Sequence, residues 1–134
     1  MRFKGHFLVG ILVLALLYTA LGNVSYPILI GYLIALIISP DIDLKFAHRN
    51  PIFHSPLIPL LALLYFPKYT PYILGASLSW NLHIICDGPW AYAGGKTIGR
   101  ICFVLSLLFF IATLLHVCGV FDFLSYISKL RRYL

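Results

Sequence analysis

The chain has 134 residues, 61% of them apolar and 10% charged, and ten Lys/Arg against four acidic residues give a net charge of +6. With no glutamate and a mean hydropathy of +0.95, this composition excludes an ordinary soluble domain, which needs far more polar surface. The length admits one domain over residues 1–134.

Residues 7–21 form the first apolar segment, closed by the turn signal Gly22-Asn23. Arg2 and Lys4 precede it without a small-residue cleavage site after it, so it reads as a retained helix and anchor. A second segment covers 27–39, with Pro27 suited to the first helical turn and Pro40 ending the run. Residues 40–54 are polar for this chain and read as a loop. Ser55-Pro56 has the pattern of an N-cap followed by proline at the first helical position, opening a third segment that runs to Phe66. After a Pro67–Pro71 turn, a fourth segment covers 72–87, stopped by Gly88-Pro89. Residues 88–99 read as a Gly-rich loop and 101–117 as a fifth segment. The tail, 121–134, mixes apolar residues with three cations, as an interfacial amphipathic helix does. The expected fold is an all-α membrane bundle of about five helices plus that tail helix. The first four segments fall short of the ~20 apolar residues of a full span, so a half-embedded bundle is an equal expectation.

Asp and His are concentrated at particular points of this order. His6 begins segment one, Asp41 and Asp43 follow segment two, His48 and His54 precede segment three, and His83 and Asp87 close segment four. Up-down packing of the four segments gathers all of them at one pole. Arg2, Lys4, Lys45, Arg49, Lys96 and Arg100 share that pole, and only Lys68 falls on the opposite short loop. The positive-inside rule then points to a cytoplasmic face in a multi-pass inner-membrane protein, against which the tail cations pull if segment five crosses. The cations suit anionic lipid headgroups. No nucleic-acid partner is expected, since no basic stripe exists and only Lys129, Arg131 and Arg132 cluster.

Ionisable groups near lipid are expensive and mark functional positions. His83 and Asp87 are spaced i, i+4 and so project to one side of a helix, offering nitrogen and oxygen to zinc or another divalent metal. Asp41 and Asp43 point alike if their loop is extended. Taken singly, each has a plain alternative: a solvated turn, surface histidines at 48 and 54, an interfacial His6. Together they suggest close metals that activate water and stabilise phosphoryl oxygens, with the planar fork of Arg49 available to a phosphate or to a lipid headgroup. His116 falls outside the cluster and reads as a core or interface residue, and Asp122 as the start of the tail helix. Cys86, Cys102 and Cys118 have no C-x-x-C spacing and read as small apolar residues within the segments. The Tyr and Trp residues read as interface-belt or packing residues.

Gly5-His6, Ser39-Pro40-Asp41-Ile42-Asp43, His48-Arg49 through His54-Ser55, and His83-x-x-x-Asp87-Gly88-Pro89 occur in this order. The ordered set resembles the YdjM-like family of inner-membrane proteins, described as membrane-bound metal-dependent hydrolases and distantly similar to zinc-dependent phospholipase C and the P1-type nuclease. The resemblance covers about residues 5–90. It implies a helical fold and the ligand set His6, Asp41, Asp43, His48, His54, His83 and Asp87. Leu44 stands where the family often has histidine, and the His48-to-His54 interval is one residue longer than usual.

The leading expectation is therefore a zinc-dependent phosphoester hydrolase at the bilayer surface, acting on a phospholipid or lipid-linked phosphate, with Asp41 and Arg49 in catalytic roles. The alternatives are a non-enzymatic membrane protein with a structural or transported metal at the Asp/His cluster, and a lipid-binding scaffold. A transporter would place its ligands near the membrane midplane rather than at helix ends.

Overall fold

A computed structural model describes residues 3–22, 24–38, 50–89 and 95–133 of the chain. Asp41, Asp43, His48 and Arg49 lie outside the described residues. Among the described residues six α-helices occur in order: α1 (Phe3–Leu21), α2 (Tyr26–Ile38), α3 (Leu57–Tyr65), α4 (Thr70–Asp87), α5 (Lys96–Val117) and α6 (Phe123–Arg131), with a 3-10 turn at Pro67–Tyr69. No strand occurs among the described residues, so the all-helical expectation holds.

The helix ends follow local chemistry. The Leu57 N–H donates to the Ser55 hydroxyl at 3.3 Å, but α3 starts one residue later than expected, with Pro56 at its cap position and no side-chain cap there. Gly88, at φ 72°, closes α4 by donating its N–H to the carbonyls of Ile84 and Ile85. Asp122 caps α6 by accepting from the Ser125 N–H at 3.3 Å, as its position predicts. Helix α5 departs from expectation: it begins at Lys96, inside the expected Gly-rich loop, directly after Gly95 at φ 91°. Apolar content falls off before Ile101, but the backbone stays helical for another turn.

Helix α4 is the hub, packing on α1, α2, α3 and α5. Its closest partner is α2, and the reason is small residues. A Cβ on Gly31 would lie 1.9 Å from the Tyr72 carbonyl oxygen, and one on Gly75 would lie 1.9 Å from the Ile28 carbonyl oxygen. Ala35 and Ser79, one turn further along each helix, are also buried. This small-xxx-small seam lets two backbones touch, the device by which helices associate in lipid. Tyr32, fully buried on α2, donates its hydroxyl to the Gly10 carbonyl of α1 at 2.9 Å. Around it Leu14 and Leu17 of α1 pack with Leu36 and Leu78.

Helix α5 runs antiparallel to α4. Cys102 near its start packs with Ile84 near the end of α4, and Phe109 further on packs against the cluster that contains Leu74, near the start of α4. The short α3 meets the 3-10 turn and α4 at a 110° bend. Helix α6 lies at the far end, where Ile127 is buried with Leu63 and Leu64 of α3. There Arg131 donates Nε to the Leu64 carbonyl at 2.8 Å and Nη2 to the Leu63 carbonyl at 2.7 Å. These are carbonyls of the last helical turn, which lack intrahelical partners.

Apolar side chains lie on the surface as well as in the core, and several small polar ones are buried. Large apolar side chains stand outside, among them Leu16 (66% exposed), Ile37 (67%) and Leu108 (59%), while Ser77, Asn81, Ser106 and Thr113 are fully buried. Helix α5, with 22 residues, is the one described helix long and apolar enough to cross a membrane; the α3–α4 pair adds a second if it counts as one bent span. Helices α1 and α2 contribute shorter apolar runs, Gly5–Leu21 and Tyr26–Ile38.

Candidate metal centre

The end of α4 carries the chemistry. Asp87 is its last residue, where the negative end of the helix dipole opposes a carboxylate by ~0.3–1 kcal/mol. Its side chain is 3% exposed, so the charge must be compensated by neighbours rather than by water. Three imidazoles provide the compensation. His6 Nε2 lies 3.2 Å from Asp87 Oδ1, and His54 Nε2 and His83 Nε2 each lie 3.5 Å from Oδ2. All three histidine side chains are at most 7% exposed. The His6 ring stacks on that of His83, with centroids 4.2 Å apart.

Each group arrives by a different route. His83 is one helical turn before Asp87, and His6 stands near the start of α1 beside the α4 end. His54 comes from a turn just before α3. In that turn Asn50 Oδ1 accepts from the Ile52 N–H at 2.9 Å and the His54 N–H donates to the Asn50 carbonyl at 2.8 Å. Trp80 then fastens the turn to α4, donating its indole N–H to the Phe53 carbonyl at 3.0 Å. Sequence reasoning gives Trp80 no more than a packing role. Its signal was its position one turn before His83, together with the need of a half-buried indole N–H for an acceptor.

The donor set suits a divalent ion. Ligand atoms of His6, His83 and Asp87 lie within 4.8 Å of one another, a grouping that could hold a metal ion. A tetrahedral zinc with ligands at ~2.0–2.1 Å spaces them ~3.3 Å apart, close to the 3.2–3.5 Å separations between Asp87 and the imidazoles. Beneath the cluster lies a cavity of about 10 Å³ bordered by His6, Gly10, Ala35, Ser79 and His83, room for one water molecule. The Ser79 hydroxyl, 2% exposed, has no hydrogen-bond partner among the described residues.

Of the expected ligands, the structure brings together His6, His54, His83 and Asp87; Asp41, Asp43 and His48, with Arg49, are outside the described residues. His116 is remote, at the far end of α5, with Nδ1 3.2 Å from the Phe121 carbonyl oxygen. The three cysteines are free. Cys118 corrects one expectation, for it is exposed in the turn after α5 rather than inside an apolar segment. In comparisons with protein-family models, curated proteins and solved structures, none matches the chain.

Proposed function

We propose that this chain is a multi-pass membrane protein of the YdjM-like type and a metal-dependent hydrolase of phosphoesters at the bilayer surface. The observation that carries the reading is the convergence of His6, His54 and His83 on the buried Asp87 carboxylate. An apolar exterior around buried polar residues supports the membrane placement. The order of the Asp and His motifs supports the hydrolase class.

In this reading a bound divalent ion, zinc by its ligand chemistry, supplies Lewis acidity and lowers the cost of deprotonating water. The chain does the rest. His6, His54, His83 and Asp87 would hold the ion, and Asp41, Asp43 and His48 would add ligands. Arg49 holds a phosphoryl oxygen by its planar fork. Lys96 and Arg100, exposed at the start of α5, raise the local concentration of an anionic substrate. Water bonds to phosphorus, the P–O ester bond breaks, and the departing alcohol takes up the proton that water loses. The cytoplasm-facing orientation follows from the cations of this pole.

The test is elemental analysis of the detergent-purified protein and of a His83→Ala/Asp87→Ala variant, followed by phosphate-release assays on lipid phosphoesters. Zinc near one equivalent in the wild type, lost in the variant together with turnover, is the expected result. Absence of metal after zinc is offered would sink it.

One observation favours a second reading. The cluster side chains are at most 7% exposed, and structural zinc sites are closed whereas catalytic ones keep an open position. A non-enzymatic protein with a structural ion predicts stoichiometric zinc, a large loss of thermal stability on chelation, and no phosphoester turnover.

A further inference from the structure

A groove of about 380 Å³ runs between α3 and α5, lined by Ser55, Leu57 and Leu60 on one side and by Leu105, Leu108 and Ala112 on the other. Its near end adjoins the metal-candidate cluster, because Ser55 follows His54, whose Nε2 is 3.5 Å from Asp87. Ser55 apart, these side chains are apolar, and Ser55 already uses its hydroxyl on the Ile52 carbonyl and the Leu57 N–H. Among the described residues the groove therefore offers an occupant no free polar partner, and a polar group placed there would lose its hydrogen bonds. A cavity of about 150 Å³ takes a benzene ring, and by that scale the groove takes roughly fifteen carbons.

Charge sets what the chain should be attached to. Lys96 and Arg100 are exposed in the first turns of α5, at the same pole as Asp87. Arg100 borders a hollow that shares Leu105 with the groove. An apolar slot, a cationic rim and a candidate metal centre thus lie in sequence along one side of the bundle. We infer that the α3–α5 groove seats the hydrocarbon chain of a long-chain phosphoester lipid whose anionic head reaches the His6, His54, His83 and Asp87 cluster. The inference rests on the hydrolase reading of that cluster and adds the place in the fold where the substrate's hydrocarbon chain is held.

The test uses full-length protein in phosphatidylcholine vesicles, supplied with zinc. The probe is a hexadecylphosphonate carrying a mid-chain diazirine; its control is the same chain ending in an alcohol. After irradiation, labelled residues are mapped by mass spectrometry, and zinc is measured on the same samples. Expected is labelling at Leu60, Leu105, Leu108 and Ala112, enriched at least about tenfold over the alcohol, equivalent to ~1.4 kcal/mol of preference. His83→Ala/Asp87→Ala should abolish the enrichment. Leu108→Trp, which fills the groove, should abolish the labelling while zinc content stays at the wild-type level.

Equal labelling by phosphonate and alcohol means ordinary bilayer lipid occupies the groove, and overturns the inference. Labelling elsewhere also overturns it. Zinc bound without phosphonate-dependent labelling removes the lipid seat and leaves the metal reading standing. Phosphonate-dependent labelling without zinc removes the metal reading and leaves the seat.

Discussion

His6 near the start of α1 and Asp87 at the end of α4 meet at 3.2 Å, Nε2 to Oδ1, so the first and fourth helices of the chain close the site between them. The contact joins α1 to the hub helix by an ion pair in addition to their packing. Asp87→Asn preserves shape and removes the charge that the three imidazoles surround. Outer-shell changes lower metal affinity roughly 10–100-fold, and loss of the shared carboxylate should exceed that. Zinc titration with a competing chelator measures it. An affinity for zinc unchanged in Asp87→Asn would show that Asp87 is no ligand.

Trp80 acts on the site through the His54 turn. Trp80→Phe keeps the ring and deletes the donor to the Phe53 carbonyl. Loss of one such hydrogen bond costs ~1 kcal/mol of stability. Because His54 depends on the turn for its position, zinc affinity should also fall, by roughly tenfold as for other orienting groups. Trp80→Leu should behave the same way, and a purely packing role would instead lower stability with zinc affinity unchanged.

The sequence made the helix ends and the pole legible because each rests on local chemistry. Gly88-Pro89 stops α4 and Asp122 caps α6, whereas α3 begins after Pro56, one residue past the expected Ser55 cap. His83 and Asp87 share a side by simple helical spacing, and hairpin order brings His6 and His54 to them. Non-local features were not legible. Nothing in the order of residues says that Gly31 and Gly75 face each other, since each is one glycine in an apolar run. The start of α5 was misplaced because hydropathy falls at Lys96-Thr97 although the helix continues. The tail cations, which pull against the positive-inside orientation, find a physical reason in the fold, where Arg131 serves as a cap for α3.

The α2–α4 seam should be intolerant of any side chain. At Gly31 even a methyl group meets the Tyr72 carbonyl at 1.9 Å, and at Gly75 it meets the Ile28 carbonyl at the same distance. The neighbour in each case is backbone, which cannot rotate away. Gly31→Ala should cost at least the ~1–3 kcal/mol typical of overpacking, and Gly31→Leu should prevent folding. Leu8→Ala, on the exposed face of α1, is the control, expected within about 0.5 kcal/mol. Thermal unfolding in detergent, followed by tryptophan fluorescence, compares them.

Arg131 predicts a separation of stability from function. Its guanidinium spans two carbonyls at the end of α3, at 2.7 and 2.8 Å, a geometry that a lysine ammonium does not reproduce. Arg131→Gln should release α6, raising amide hydrogen exchange over 123–131 and costing ~1–3 kcal/mol for the charged hydrogen bonds. Arg131→Lys should restore little of it. The site lies at the other end of α4, whose 18 residues span about 27 Å, so zinc stoichiometry and affinity should stay at wild-type values in both variants. A loss of zinc on releasing α6 would mean that the two poles are coupled through α3 and α4, which both reach the Ile127 cluster beside Arg131 and the His54 turn.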